Sequence, residues 1–472
     1  MRRRVLHNGS LSARLAFVVV ALVCQLDVAG AREAGRPNVI VIVADDLGYA
    51  DVGFNGCRDI PTPHLDALAA EGVRFTNGYV TFPVCSPSRA GLITGRYQQR
   101  FGHERNPIYN PADDQMGLPL TETTLADVLG SAGYVSGAIG KWHLGAHDVF
   151  HPLNRGFNEF FGFLTGGHEY FPDRWTLRGG GFHWEGYRTL LQRDWEFVEE
   201  KEYLTDALSR EAVAFVRRHR DEPFFLYLCY NAPHTPLQAP QETLEKFRHI
   251  RNEKRRTYAA MVSVMDDGVG RLLAELDALD LDEQTLVFFL SDNGGPENAN
   301  ASDNGPLRGQ KGDVFEGGIR VPFVVRWRGV VPARDSYEEP VSALDIFATA
   351  ATQAGALASI PIERPIDGVD LTPFLTGRQA GPPHDSLYWR SFDRGAWAIR
   401  TGAEKLLRPR RDEEQLLFNL EQDLSESTNQ SSERPGDARQ LESSWREWEQ
   451  QMIDPAFLGL ESIKQYRKQW QR

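Results

Sequence analysis

The hydrophobic residues of this chain fall into two patterns. Pro37–Ala44 (PNVIVIVA), Phe224–Tyr230 (FFLYLCY) and Leu286–Ser291 (LVFFLS) are continuous apolar runs without polar alternation, the pattern of strands covered on both faces, as in a parallel sheet. Residues 203–219 and 254–278 instead carry apolar positions at helical spacing and predict amphipathic helices lying over that sheet; 345–354 predicts a further helix. Between them Gly133–Leu144 (GYVSGAIGKWHL) reads as a short strand leaving a helix through a glycine turn. The pattern changes after Gly377–Pro383 (GRQAGPP), a surface turn or linker. Short strand candidates at 386–389, 396–400, 405–407 and 415–420, then a charged helix near 436–452, predict a small antiparallel sheet packed with one helix. These patterns give an α/β chain with a large domain over 32–380 and a smaller unit over 381–472.

Residues 1–31 follow neither pattern. Arg2, Arg3 and Arg4 precede an apolar stretch from Leu15 to Cys24, and Ala29-Gly30-Ala31 offers a small-residue cleavage site. This is the layout of a secretory signal peptide, too short for a membrane span, so the mature chain is expected to be secreted or periplasmic, with no membrane span. The net charge of −13 becomes −16 once the signal's four arginines and one aspartate are removed. Such an acidic chain argues against nucleic acid as a partner, and any positive charge for an anionic substrate must be concentrated locally. Cleavage leaves Cys57, Cys85 and Cys229; Cys57 and Cys229 either pair or stay free.

Chemistry-bearing residues collect where the apolar runs end. The first run stops at Asp45-Asp46 and the third at Asp292-Asn293. In a parallel sheet such ends share one edge, where ligands of α/β proteins collect. Together they offer oxygen donors with three negative charges, a hard-cation set that suits Ca²⁺ better than Mg²⁺ and holds no soft ligand for zinc. Lys141 and His143, two apart on an extended segment, point to one side. His234 sits between Pro233 and Pro236 on a rigid turn after the second run, and Lys311 follows in Leu307–Gly312 (LRGQKG). The stretch Cys85-Ser86-Pro87-Ser88-Arg89 reads as a helix entry with Ser86 as N-cap and Pro87 at the first helical position. A nucleophile there lies at a positive dipole end, with Arg89 one turn along.

Cys-x-Pro-Ser-Arg followed by Thr94-Gly95-Arg96 resembles the signature of the type I sulfatases, and Gly133–Leu144 resembles their second signature. Leu417–Glu426 resembles their closing segment. The resemblance covers residues 37 to about 430 and implies an alkaline-phosphatase-like α/β sandwich, with a large mostly parallel central sheet flanked by helices and a small C-terminal antiparallel subdomain. It implies that a formylglycine-generating or other sulfatase-maturing enzyme converts Cys85 to formylglycine (3-oxoalanine), whose hydrate is the nucleophile. Asp45, Asp46, Asp292 and Asn293, with residue 85, would hold one Ca²⁺. Arg89 would stabilise the attacking oxygen and Asp292 would take or orient its proton. Lys141, His234 and Lys311 would bind sulfate, His234 would protonate the leaving oxygen, and His143 would deprotonate the remaining hydroxyl. The expected substrate is a sulfate ester, carried on a carbohydrate because the segment from Ala146 to Tyr187 is rich in aromatics and glycine. His168 in that segment, and His103 and Arg105 after the nucleophile stretch, are candidate substrate contacts. Two alternatives remain open: a phosphate or phosphonate ester hydrolase on the same scaffold, and a secreted carbohydrate-binding protein in which Cys85 is never converted.

Overall fold

Parallel strands bring their carboxyl ends to one edge, and this geometry organises the molecule. The structure is a computed structural model and describes residues 35–176 and 186–470. The expected signal peptide, and His183 and Trp184 of the aromatic segment, lie outside the described residues. In chain order the strands are β1 (Asn38–Ala44), β2 (Val73–Phe75), β3 (Gly78–Tyr79), β4 (Val135–Lys141), β5 (Glu159–Phe163), β6 (Leu191–Arg193), β7 (Glu196–Val198), β8 (Phe224–Cys229), β9 (Thr285–Ser291), β10 (Phe323–Arg326), β11 (Arg334–Tyr337), β12 (Val341–Ser342), β13 (Leu387–Ser391), β14 (Ala396–Thr401), β15 (Glu404–Arg408) and β16 (Leu416–Asn419). Ten of them form one sheet, in the order β11-β2-β10-β9-β1-β8-β4-β5-β6-β7. The centre, β9-β1-β8-β4-β5, is parallel throughout. The antiparallel members are β10 on one side and the β6–β7 ribbon on the other.

Register explains why distant motifs meet. Ala44 lies opposite Ser291, Val43 opposite Cys229, and Cys229 opposite Gly140. The residues that follow, Asp45, Asp292 and the Tyr230–His234 turn, therefore emerge level with Lys141. Every residue of β1, β8 and β9 is buried, as unbroken apolar runs require. Alternate side chains of β1 serve opposite faces: Val39, Val41 and Val43 pack in one core, Ile40 and Ile42 in the other. The second core is closed by the helices Leu204–Arg218 and Glu253–Ala278, within a residue or two of the expected spans. The first takes in the helix Leu344–Gln353.

The C-terminal strands form the expected antiparallel sheet, β13-β14-β15-β16, and the helix Pro435–Glu449 lays Leu441, Trp445 and Trp448 against it. This sheet meets the main body through buried charge. Lys405 on β15, with no exposed surface, donates to Glu316 Oε1 at 2.7 Å and lies 2.8 Å from Glu426 Oε1.

Three sequence expectations differ from the structure. The nucleophile helix runs Cys85–Thr94, with Val84 as its flanking residue and no side-chain cap, so Ser86 lies inside the first turn rather than capping it. His143 has φ +58°, in the left-handed region, so the segment after Lys141 is not extended. The aromatic segment is largely interior: Phe157, Phe160, Phe161, Phe163, Tyr170 and Trp175 are all buried, and β5 runs through it. Among the described residues of the segment, most of the aromatic side chains belong to the core rather than to an exposed sugar platform. Cys57 and Cys229 are both free thiols.

Buried neutral histidines make this fold acid-sensitive. Burial holds His103 down to about 3 and His151 down to about 4. His151 Nδ1 accepts the Leu153 N–H and cannot also carry a proton. Both pKa values lie below that of an unfolded histidine, so the unfolded state binds more protons. Their stabilisation is full above about pH 6.5 and is lost as pH falls toward the folded values, by roughly 1.4 kcal/mol per unit per group. Thermal melts should show a lower Tm at pH 5 than at pH 7. His151→Asn, whose side-chain oxygen can keep the turn bonded, should lose less over that interval; an equal loss would remove His151 from this account.

Candidate active site

Three carboxylates, three cationic side chains and one thiol are gathered at the carboxyl edge of the sheet. Asp45, Asp46 and Asp292 come from the ends of β1 and β9, and Lys141 from the end of β4. Arg89 and Cys85 come from the Cys85–Thr94 helix, and Lys311 from the loop before β10. Lys141 Nζ donates to Asp45 Oδ2 at 2.6 Å and Lys311 Nζ to Asp46 Oδ1 at 2.6 Å. Lys311 Nζ also lies 3.0 Å from Cys85 Sγ, and the thiol lies 3.7 Å from Asp45 Oδ1. Arg89 places Nε and Nη2 each 2.9 Å from Asp292 Oδ2, and its Nη1 donates to the Lys141 carbonyl at 3.2 Å. His234 Nδ1–H donates to the Thr235 carbonyl at 2.5 Å, and its Nε2 lies 3.6 Å from Asp46 Oδ2. The Lys311 loop is tied to the segment entering the nucleophile helix by the Gly312 N–H, which donates to the Pro83 carbonyl.

Burial sharpens each charge. Burial alone would raise Asp45, but Lys141, with His234, Arg89 and Lys311, holds it well below the usual carboxylate range. Asp292 goes the other way: burial and the Asp45 charge push it up to about 6 against the pull of Arg89. Burial pushes the Cys85 thiol up to about 12 despite its two lysine neighbours, so as a thiol it is not poised as a thiolate. Lys141 and Lys311 stay charged because their carboxylate partners outweigh burial.

The acidic residues fit a hard cation. One ligand atom each from Asp45, Asp46, Cys85 and His234 lie within 4.8 Å of one another. Asn293 Nδ2 donates to Asp46 Oδ1 and to the Gly294 carbonyl, and Asn293 Oδ1 is buried with no hydrogen-bond partner among the described residues. An orphaned amide oxygen beside carboxylates is what an oxygen-liganded ion would satisfy.

Burial, with the Lys141, Arg89 and Lys311 charges, holds the His143 imidazole well below its ordinary pKa. The residue's left-handed backbone costs roughly 1–2 kcal/mol, and neither ring nitrogen has a hydrogen-bond partner among the described residues. Gly166 passes so close that a β-carbon there would lie 2.6 Å from His143 Nε2, so only glycine admits the ring.

The three candidate substrate contacts fall elsewhere. His103 has no exposed surface and its Nε2 meets Ser86 Oγ at 2.7 Å. His168 is buried with both ring nitrogens on backbone carbonyls, those of Glu169 and Thr189. Arg105 forms a two-pronged pair with Asp393 and donates to the Phe457 carbonyl, tying the segment after the nucleophile helix to the C-terminal unit. All three are engaged with the protein itself, for which residue type alone gave no warning. Sequence reasoning also passed over Tyr187, whose ring centroid lies 6.1 Å from that of His234, and Asn106, whose Oδ1 accepts the Ser86 N–H. A lone tyrosine or asparagine in a loop carries no sequence signal for either role.

A parallel sheet whose ends surround a buried thiol with paired ammoniums and carboxylates defines a hydrolase of anionic esters. The family model described as Sulfatase matches residues 37–356. The chain is 35% identical to steryl-sulfatase of Rattus norvegicus, covering 79% of this chain and 76% of that one. It is 37% identical to N-acetylgalactosamine-6-sulfatase of Canis lupus familiaris, covering 76% and 70%. The crystal structure of Ps i-CgsB in complex with k-i-k-neocarrahexaose matches with a TM-score of 0.84 and 38% identity, over 93% of this chain and 100% of that one. The chain belongs to the sulfatase family, in the alkaline-phosphatase-like superfamily, and is a sulfuric ester hydrolase.

Proposed function

We propose that this chain is an exported sulfatase that removes sulfate from a carbohydrate, with Cys85 converted to formylglycine by a maturing enzyme and with one bound Ca²⁺. The observation that carries the reading is the placement of Cys85 at the first turn of a helix, 3.0 Å from Lys311 Nζ, with Lys141 and Lys311 each 2.6 Å from an aspartate of the acidic set. Once present, formylglycine supplies a hydrated aldehyde as oxygen nucleophile, and Ca²⁺ held by Asp45, Asp46, Asp292, Asn293 and residue 85 supplies a fixed positive charge. Lys141, Lys311 and His234 hold the sulfate oxygens and neutralise the charge that develops on them. Asp292, clamped by Arg89, orients or takes the proton of the attacking hydroxyl. His234, whose Nδ1–H is fixed on the Thr235 carbonyl, presents Nε2 to the leaving oxygen and, when the ring is protonated there as well, gives that oxygen a proton and is left as the neutral imidazole. His143 takes the second hydroxyl proton from residue 85 when sulfate is released.

Carbohydrate is the favoured carrier because one relative acts on N-acetylgalactosamine-6-sulfate by its name, and the Ps i-CgsB structure holds neocarrahexaose. Two measurements test the reading. The mass of the Phe75–Arg89 tryptic peptide should be lower than its sequence mass by the exchange of sulfur for oxygen and loss of two hydrogens. The matured enzyme should turn over aryl sulfate in preference to aryl phosphate and release sulfate from defined sulfated oligosaccharides. An unmodified peptide from active enzyme would overturn the nucleophile assignment, and a preference for phosphate would overturn the sulfate one.

A further inference from the structure

Ser86, next to the nucleophile, is turned away from the acidic and basic cluster. It has no exposed surface, and its Oγ makes two short contacts: 2.6 Å to the His143 carbonyl and 2.7 Å to His103 Nε2. A carbonyl can only accept, so the single hydroxyl hydrogen satisfies both contacts only if Ser86 donates to His143 and His103 donates Nε2–H to Ser86. The Ser86 N–H donates to Asn106 Oδ1 at 3.0 Å, so the helix turn carrying Cys85 is bonded to both His103 and Asn106 of the following loop. The residue whose carbonyl receives this chain of bonds is the one with left-handed backbone, φ +58°, and a ring without hydrogen-bond partners among the described residues. Gly166 is packed against the ring, so the backbone there bounds the space the imidazole occupies.

We infer that Ser86, oriented by His103, is a positioning residue that locks the His143 backbone and so aims the imidazole at residue 85. The inference rests on the reading of His143 as a working group of the sulfatase site. It adds that the nucleophile helix and His143 are set by one buried hydrogen-bond relay. The Cys-Ser dipeptide then has two jobs, the first side chain facing the substrate and the second bracing the residue opposite.

A double-mutant cycle tests this, with kcat and KM measured on an aryl sulfate and divided by the converted fraction of residue 85 from peptide mass, because Ser86 lies within the stretch a maturing enzyme reads. Ser86→Ala should lower kcat about 10- to 100-fold, as loss of an orienting partner does, with KM within about twofold. In a His143→Ala background the same change should cost almost nothing further, because the group it orients is gone. His103→Gln, which keeps a side-chain N–H, should fall less than His103→Leu. Thermal melts separate these effects from misfolding, and the wild-type control tests the sulfatase reading itself. Undiminished kcat per converted site in Ser86→Ala, or an equal further loss in the His143→Ala background, would overturn the relay.

Discussion

Cys85→Ala should abolish sulfate-ester turnover, with a loss on the order of 10⁵- to 10⁶-fold in kcat, as expected when the proposed nucleophile is removed from a site that otherwise stays assembled. The fold is unaffected because the side chain sits beside polar groups already paired with one another, Lys141 with Asp45 and Lys311 with Asp46. Cys85→Ser behaves differently. A serine supplies one oxygen for attack, and Lys141, Lys311 and His234 remain to neutralise the sulfate and protonate the leaving group. In the proposed mechanism it lacks the second hydroxyl from which His143 would draw a proton, so sulfate would stay on the side chain. The expected result is about one equivalent of alcohol released per enzyme, followed by arrest, with the intact mass raised by one sulfo group. Sustained turnover by this variant at the wild-type rate would end the mechanism.

Lys405→Met carries the largest expected loss of stability. Its ammonium has no exposed surface and lies between Glu316 and Glu426. Glu316 is also bonded by the Tyr79 hydroxyl at 2.6 Å and flanked by Arg320, and Arg400 reaches the same hydroxyl. Burial would raise Glu316, but Lys405, Arg320 and Arg400 hold it down to about 2; burial and the Glu316 charge push Glu426 up to about 7. Removing Lys405 leaves two buried carboxylates facing each other, which costs roughly 3–5 kcal/mol. Replacing Lys405 and Glu426 together by apolar residues should recover much of that loss, because no uncompensated charge remains. Denaturant unfolding of the two variants measures the difference. Glu316 follows closely on Lys311, and Glu426 Oε2 accepts the Glu316 N–H, so the single variant should also lose activity below its melting range. A single variant as stable as wild type would show that this cluster does not tie the C-terminal sheet to the body.

Much of the sheet was legible because β1, β8 and β9 are buried on both faces and admit no polar alternation. The site was legible chiefly through the resemblance of Cys85–Arg96 and Gly133–Leu144 to the sulfatase signatures, since acidic residues at strand ends fit a solvated turn equally well until a second acidic strand end is found beside them. Strand order and the antiparallel β10 were not legible, since a four-residue strand such as Phe323–Arg326 carries no pattern that fixes its direction. The start of the nucleophile helix was misplaced because serine before proline reads as a cap, whereas Ser86 spends its hydroxyl on His143 and His103. By residue type alone His103, His168 and Arg105 are candidate substrate contacts. Their actual partners are backbone carbonyls, a buried serine and a carboxylate far away in sequence.

All ten residues of the Cys85–Thr94 helix are buried, and Cys85 itself is 2% exposed. If Cys85 is converted as proposed, the maturing enzyme has to reach a side chain that the native molecule covers together with its whole helix. Freeing the helix means dismantling the centre of the protein, a state reached about once in 10³ to 10⁶ molecules. Under the proposed function, conversion of Cys85 would therefore belong to the period when the newly made chain is still open, in a race against collapse. A copy that closed first would keep its thiol for life, so the active fraction of a preparation would record the outcome of that race, molecule by molecule.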